Sequence, residues 1–277
     1  MSSPETDLAG AASARRAAVA AGPAGTPFIV RPWARPLAWL VLQSLLLMLA
    51  LGSLLWNVVA WGLLPLLRRE RALRVGRAGI ARGYAFFWWA CRRSGLLRMD
   101  ARALDPLAAE PGLVVVANHP SMLDAVMLVA RLPRSTCVMK ASLARNPFLS
   151  AAARLAGYIR NDSAYWLVRH AVADLRAGGQ LVLFPEGTRT TQWPVNPFHS
   201  TVGIIAHRAQ VPVQTVFIDT DSPYLGKGWP IWRLPPLPIV FTVRLGQRFQ
   251  AGPSAHAFQS ELEAYFAAGV QRQAPPP

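Results

Sequence analysis

Residues 113–124 read Leu-Val-Val-Val-Ala-Asn-His-Pro-Ser-Met-Leu-Asp. The unbroken apolar run over residues 113–117 has the length and character of a strand buried on both faces, which points to a parallel sheet. His119 and Asp124 follow where that strand should end. Five positions on a regular helix turn through about 140 degrees, so these side chains meet only if His119 stands at or before the helix start. Pro120 suits that placement, because proline in the first turn has no intrahelical donor to lose. The pair then reads as a base and its orienter: imidazole takes a proton near neutral pH, and the carboxylate fixes its tautomer. A purely structural reading stands beside it. Ser121-x-x-Asp124 has the form of a capping box, and a histidine at a strand end is often only a satisfied polar residue.

About sixty residues on, residues 181–189 read Leu-Val-Leu-Phe-Pro-Glu-Gly-Thr-Arg, the same layout of apolar strand and functional turn. Apolar runs at 136–139, 213–218 and 239–245 read as further strands. Residues 149–155, 165–176 and 203–209 read as helices, the second closed by Gly178-Gly179. Residues 254–270 read as an amphipathic helix, followed by a Pro-rich tail. Such alternation predicts an α/β domain over residues 100–277, a mainly parallel twisted sheet covered by helices.

In front of this domain, residues 1–36 are basic, rich in Ala, Gly, Ser and Pro and without period, the pattern of a disordered tail. Residues 37–67 carry no charge at all, which is longer than the ~20 residues a bilayer span needs. Trp39 and Trp61 lie 22 residues apart, about 33 Å on a helix and close to the hydrocarbon thickness. A single span fits, as does a re-entrant hairpin turning at Gly52-Ser53; a buried core helix is the plain alternative. Residues 68–99 mix arginines with Tyr84, Phe86, Phe87, Trp88 and Trp89, either as a helix in the membrane interface or as one docked on the domain.

The composition leans the same way. Among 277 residues 52% are hydrophobic and only 16% charged, and the net charge of +15 is carried almost wholly by arginine, since Lys140 and Lys227 are the only lysines. Arg68, Arg69, Arg71, Arg74, Arg77 and Arg82 crowd behind the apolar segment, which favours a membrane surface over nucleic acid. Cys91 and Cys137 are too few for a disulfide framework or a zinc site. His170, His199, His207 and His256 lack metal-ligand spacing and read as surface or structural residues, so no metal is expected.

Taken together, Asn118 to Asp124 and Phe184 to Arg189 resemble the His-x4-Asp and Phe-Pro-Glu-Gly-Thr-Arg blocks of the glycerolipid acyltransferases, the family that includes lysophosphatidic-acid acyltransferase. Weaker elements agree: Lys140-x-x-Leu143 with Pro147, Gly157-x-Ile159, and Val211-Pro212-Val213. The resemblance implies that His119 is the general base and Asp124 its orienter. An acceptor hydroxyl, once deprotonated, attacks an acyl carrier protein or coenzyme A thioester, with no further cofactor. It implies that Glu186, Gly187, Thr188 and Arg189 bind substrate, with Lys140 and Arg160 as further cations. It also implies membrane lipids as partners, no nucleic acid, and a place on the inner membrane with the domain facing the cytoplasm. Two departures bear on the acceptor. The family's Asp-Arg pair is here Asp162-Ser163, leaving Arg160 out of register, and its Pro-Phe-Lys-x-Gly is here Pro197-Phe198-His199-Ser200-Thr201. Lysophosphatidic acid is the default acceptor on this reading. A non-phosphate lipid or pigment, hydrolysis in place of transfer, and a non-catalytic lipid-binding protein are the alternatives.

Overall fold

The structure, a computed structural model, describes residues 28–252 and 254–271. Most of the expected N-terminal tail and the Pro-rich end lie outside them. Residues 28–36, assigned to that tail from sequence, are instead ordered as short 3-10 turns, Phe28–Val30 and Pro32–Ala34, running into a helix. Ala34 is buried and Ile29 and Val30 pack against the core, and these contacts fix the segment.

Seven strands form one sheet: β1 (Leu97–Asp100), β2 (Leu113–Ala117), β3 (Ser135–Met139), β4 (Ile159–Arg160), β5 (Gln180–Leu183), β6 (Val213–Thr220) and β7 (Ile239–Phe249), in the order β1-β7-β6-β2-β5-β3-β4. From β6 to β4 all neighbours are parallel; β7 runs antiparallel to β6 and carries β1 beside it. The expectation of a mainly parallel α/β sheet holds. The short strands β1 and β4 escape a sequence reading because two to four residues show no usable period.

Among the described residues, seven helices cover it: α1 (Arg35–Leu63), α2 (Arg69–Ser94), α3 (Leu123–Arg131), α4 (Ser150–Ala156), α5 (Ala164–Arg176), α6 (Thr201–Ala209) and α7 (Ala255–Gln271). Strand alternation divides the core into two layers. Leu113, Val115 and Ala117 of β2 join the cluster under α1 to α4, whereas Val114 and Val116 join that under α5 to α7.

Helix α1 runs unbroken through Gly52 and Ser53, so no hairpin turns there. It docks on the domain near both ends. Trp39 Nε1 donates to the carbonyl of Trp232 (2.7 Å) and Gln43 to that of Ile231 (3.0 Å). Asn57 Oδ1 accepts from the backbone N–H groups of Ala151 and Ala152 (2.7 and 2.9 Å) while Nδ2 donates to Pro147 (2.7 Å). Asn57 thereby caps the start of α4 from another helix, satisfying donors that have no partner within their own turn. The opposite face of α1 stays bare, with Val58 at 63% and Trp61 at 73% exposure.

Helix α2 buries Ala72, Gly76, Ile80, Phe87 and Trp88 against the domain and leaves Phe86 and Trp89 exposed. One arginine of the expected headgroup cluster points inward. Arg77 is buried, pairs with Asp174 (2.6 Å) and donates to the carbonyls of Ala156 and Arg134. A buried guanidinium needs such a full set of partners. Close packing explains Gly76, where an added Cβ would lie 2.5 Å from the backbone of Leu155 and Ala156.

Candidate active site

The carboxyl ends of the parallel strands meet on one edge of the sheet, where α/β folds bind their ligands. Register decides which residues meet there. Val116 pairs with Leu183, so His119, three positions beyond the first, comes level with Glu186, three beyond the second. The His119 backbone N–H donates to Glu186 Oε1 at 3.1 Å.

His119 Nδ1 lies 2.9 Å from Asp124 Oδ2, and the same oxygen accepts the backbone N–H of Ser121 at 2.7 Å. The two contacts suggested by the sequence coexist: one Asp124 oxygen holds both the Ser121 backbone just before α3 and the imidazole. An ionised carboxylate only accepts, so beside it Nδ1 carries the proton and Nε2 keeps its lone pair free. The ring stacks on Phe184 (centroids 4.1 Å apart, planes at 21°) and lines the main cavity. Asp124 is fully buried, and burial pushes its pKa above the usual carboxylate value of 3.8 despite the opposing His119 and Ser121 contacts.

Asn118 locks the end of β2 to β6, donating to the carbonyl of Ile218 (2.9 Å) and accepting its N–H (2.7 Å). The turn after β5 is equally determined. Gly187 has φ of +66° and its N–H donates to Phe184 (3.0 Å); a Cβ there would lie 2.5 Å from His199 Nε2, so glycine is required twice over.

The expected substrate-binding residues separate into two groups. Lys140, Gly187, Thr188 and Arg189 line the cavity, and Arg189 Nη1 is steadied by the carbonyls of Leu225 and Gly226 (2.9 and 3.0 Å). Glu186 is not at the cavity wall. It is buried and accepts from Thr190 Oγ1 (2.8 Å) and the Asn196 backbone (2.9 Å) as well as from His119, tying the two blocks together. Burial is the main force raising its pKa. Arg160 is also displaced: alternation along β4 buries Ile159 and turns Arg160 outward, where it pairs with Asp162 (2.9 Å). Its neighbour Asn161 reaches the cavity instead. Sequence reasoning missed Asn161, Asn57 and the placement of Lys227, which joins the cavity wall from a distant loop. The one available signal for the last was that the chain has only two lysines.

The cavity, about 880 Å³, runs from His119 between α1, α2, α3 and α4. Leu47, Leu51, Phe87, Val129, Leu149 and Ala152 are among its apolar walls. Lys140, Arg189 and Lys227 also line it, and among the described residues no aspartate or glutamate does. A histidine–aspartate pair on an apolar cavity with three cations in its wall suits an anionic amphiphile.

Residues 98–219, the stretch that holds both blocks, match the Acyltransferase family model. Among relatives, the lyso-ornithine lipid O-acyltransferase of Pseudomonas aeruginosa is 32% identical over 151 residues, 50% of this chain and 58% of that protein. A Caenorhabditis elegans protein named as a candidate 1-acyl-sn-glycerol-3-phosphate acyltransferase is 30% identical over 153 residues, 52% of this chain and 54% of that protein. The chain thus spans little more than half the length of these relatives. The crystal structure of the 1-acyl-sn-glycerophosphate acyltransferase of Thermotoga maritima has the same fold, with a TM-score of 0.66 over 86% of this chain and 96% of that one at 20% identity.

Proposed function

We propose that this chain is a membrane-associated O-acyltransferase that moves a fatty acyl group from a coenzyme A or acyl carrier protein thioester to the hydroxyl of an anionic lysolipid, with 1-acylglycerol-3-phosphate as acceptor. The observation that carries this is the His119–Asp124 pair on an apolar cavity whose wall also holds Lys140, Arg189 and Lys227. His119 Nε2 takes the proton of the acceptor hydroxyl while its oxygen attacks the thioester carbonyl carbon. The imidazolium formed is held by Asp124, and it returns the proton to the sulfur as the C–S bond breaks. The base acts through the acceptor itself, so no protein nucleophile is required.

A lyso-ornithine lipid, the substrate named for one relative, is the second reading. Such a lipid carries a carboxylate that the cations could hold, but also an ammonium group that needs an acidic partner. The cavity wall offers cations instead, which favours a phosphate-bearing acceptor.

The tunnel supports an acyl-chain role and gives a test. Gly83 lines it, and an added Cβ there meets nothing within 4 Å. Gly83→Leu should fill the tunnel without disturbing α2, since leucine is the better helix former by about 1 kcal/mol. Its expected effect is a shift towards shorter acyl chains, with long-chain transfer falling about tenfold or more relative to short-chain transfer, as apolar pockets discriminate by roughly that factor per methylene. Competition between thioesters of graded length, read by mass spectrometry, checks this; an unchanged profile would sink the tunnel assignment.

For the membrane, we read α1 and α2 as inserting from one side. Trp39 and Asn57, both bonded to the domain, are 18 residues apart, about 27 Å along the helix. A full crossing by α1 would carry domain surface into hydrocarbon, whereas its bare face can enter one leaflet while the docked face stays on protein. Each large apolar side chain transferred is worth about 1.5–3 kcal/mol. Val58→Asp with Trp61→Asp, both exposed and outside the cavity wall, should therefore reduce binding to phosphatidylglycerol vesicles by about a hundredfold or more, measured by flotation. Undiminished flotation would contradict this reading.

A further inference from the structure

The segment joining β6 to β7, residues 221–238, lies beyond the stretch that matches the family model. Its first half is fastened to the catalytic turn. The Leu225 carbonyl accepts the backbone N–H of Met122 (3.0 Å), the Tyr224 carbonyl accepts Ser121 Oγ (3.0 Å), and Arg189 bonds both Leu225 and Gly226. Leu225 adopts φ of +57°, a conformation that is costly for a branched side chain. Such strain persists only where the surroundings over-determine it, and it clusters at ligand clamps. At Gly226 a Cβ would stand 2.9 Å from the Pro223 carbonyl and 3.5 Å from that of Pro120, so the chain passes close beside the catalytic block. These constraints place Lys227 on the wall of the cavity that holds His119.

The residue type is informative too. Of 29 basic residues only Lys140 and Lys227 are lysines, and both line this one cavity. Lysine offers a compact charge on a flexible stem, suited to a phosphate that must be met over a range of approach, whereas arginine holds a planar fork. The two cations expected after Asp162 and Phe198 are Ser163 and His199 in this chain. A cation from a different loop stands at the cavity in their stead.

We propose that Lys227 is a specificity determinant that grips the phosphate of the acyl acceptor, compensating for the cations missing at 163 and 199. The inference rests on the acceptor reading above. The acceptor rather than the thioester donor is the partner because the same loop continues to Ile231 and Trp232, exposed beside α1 on the side assigned to lipid. A headgroup rising from that surface meets Lys227 on the way to His119.

The test compares the full-length protein with Lys227→Ala and Lys227→Arg, using a long-chain acyl thioester with lysophosphatidate or uncharged monoacylglycerol as acceptor. Lys227→Ala should raise KM for lysophosphatidate about tenfold, with a loss in kcat/KM several times greater than for monoacylglycerol. Lys227→Arg, which keeps the charge, should recover most of it. An equal loss with both acceptors, an unchanged KM for lysophosphatidate, or a rise in donor KM alone would overturn the role of Lys227. A wild-type protein that ignores lysophosphatidate while acylating monoacylglycerol overturns the acceptor reading and this inference with it.

Discussion

His119→Ala should retain its fold and its substrates while losing acyl transfer by about 10²–10⁴-fold in kcat, the range attributed to a positioned general base. The ring does little to hold the domain together: it is partly exposed, and its contacts are Asp124, Phe184 and the cavity. The His119 backbone bond to Glu186 survives the substitution, so the turn stays in place. The loss should therefore fall on kcat with little change in KM for either substrate, as expected for an interaction made only in the transition state. Steady-state kinetics with purified protein and a saturating thioester would settle this. Full activity in His119→Ala would remove the mechanism outright.

Asp124→Asn should separate activity from stability. The asparagine oxygen can accept from both Ser121 N–H and His119 Nδ1, as Asp124 Oδ2 now does, so the geometry is kept. What disappears is the charge that steadies the imidazolium, and kcat should fall by about 10²-fold or more. The stability effect has the opposite sign. Burial raises the Asp124 pKa above its unfolded value near 3.8, so the folded protein holds the proton more tightly than the unfolded chain. That contribution is fully present below the unfolded value and is lost as pH rises through the folded one. Asparagine has no such ionisation. The variant should match the wild type only well below pH 3.8 and unfold at a higher temperature at neutral pH. An asparagine variant that is less stable at neutral pH would show that the burial cost has been misjudged.

The fold was legible wherever periodicity and length were strong. An apolar run ending in Asn118-His119-Pro120 announces a buried parallel strand, and the structure supplies that strand at Leu113–Ala117. The contact between His119 and Asp124 was legible for a related reason: Asp124 lies in the first turn after His119, so local geometry alone brings them together. What stayed hidden depends on contacts between distant residues. Glu186 read as a substrate ligand, yet donors from His119 and Asn196 surround it and draw it inward. Arg160 read as a displaced cation near the site, but a two-residue strand turns it to solvent. For residues 37–67 the sequence offered a span, a hairpin or a core helix. The contacts that dock this helix on the domain, to Trp232 and Pro147, lie 193 and 90 positions away. No local pattern carries such information. Lys227 was conspicuous as one of two lysines, but its place at the cavity follows from how its loop folds back onto Ser121, Met122 and Arg189.

The central claim, that this chain transfers an acyl group to an anionic lysolipid, is tested most directly by a product assay. Full-length protein in detergent is given an acyl thioester with lysophosphatidate, lyso-ornithine lipid or monoacylglycerol, and products are identified by mass spectrometry. The account predicts phosphatidic acid in stoichiometric match with released thiol, abolished in His119→Ala. Free fatty acid appearing without ester, or acylation of lyso-ornithine lipid while lysophosphatidate is left untouched, would contradict it.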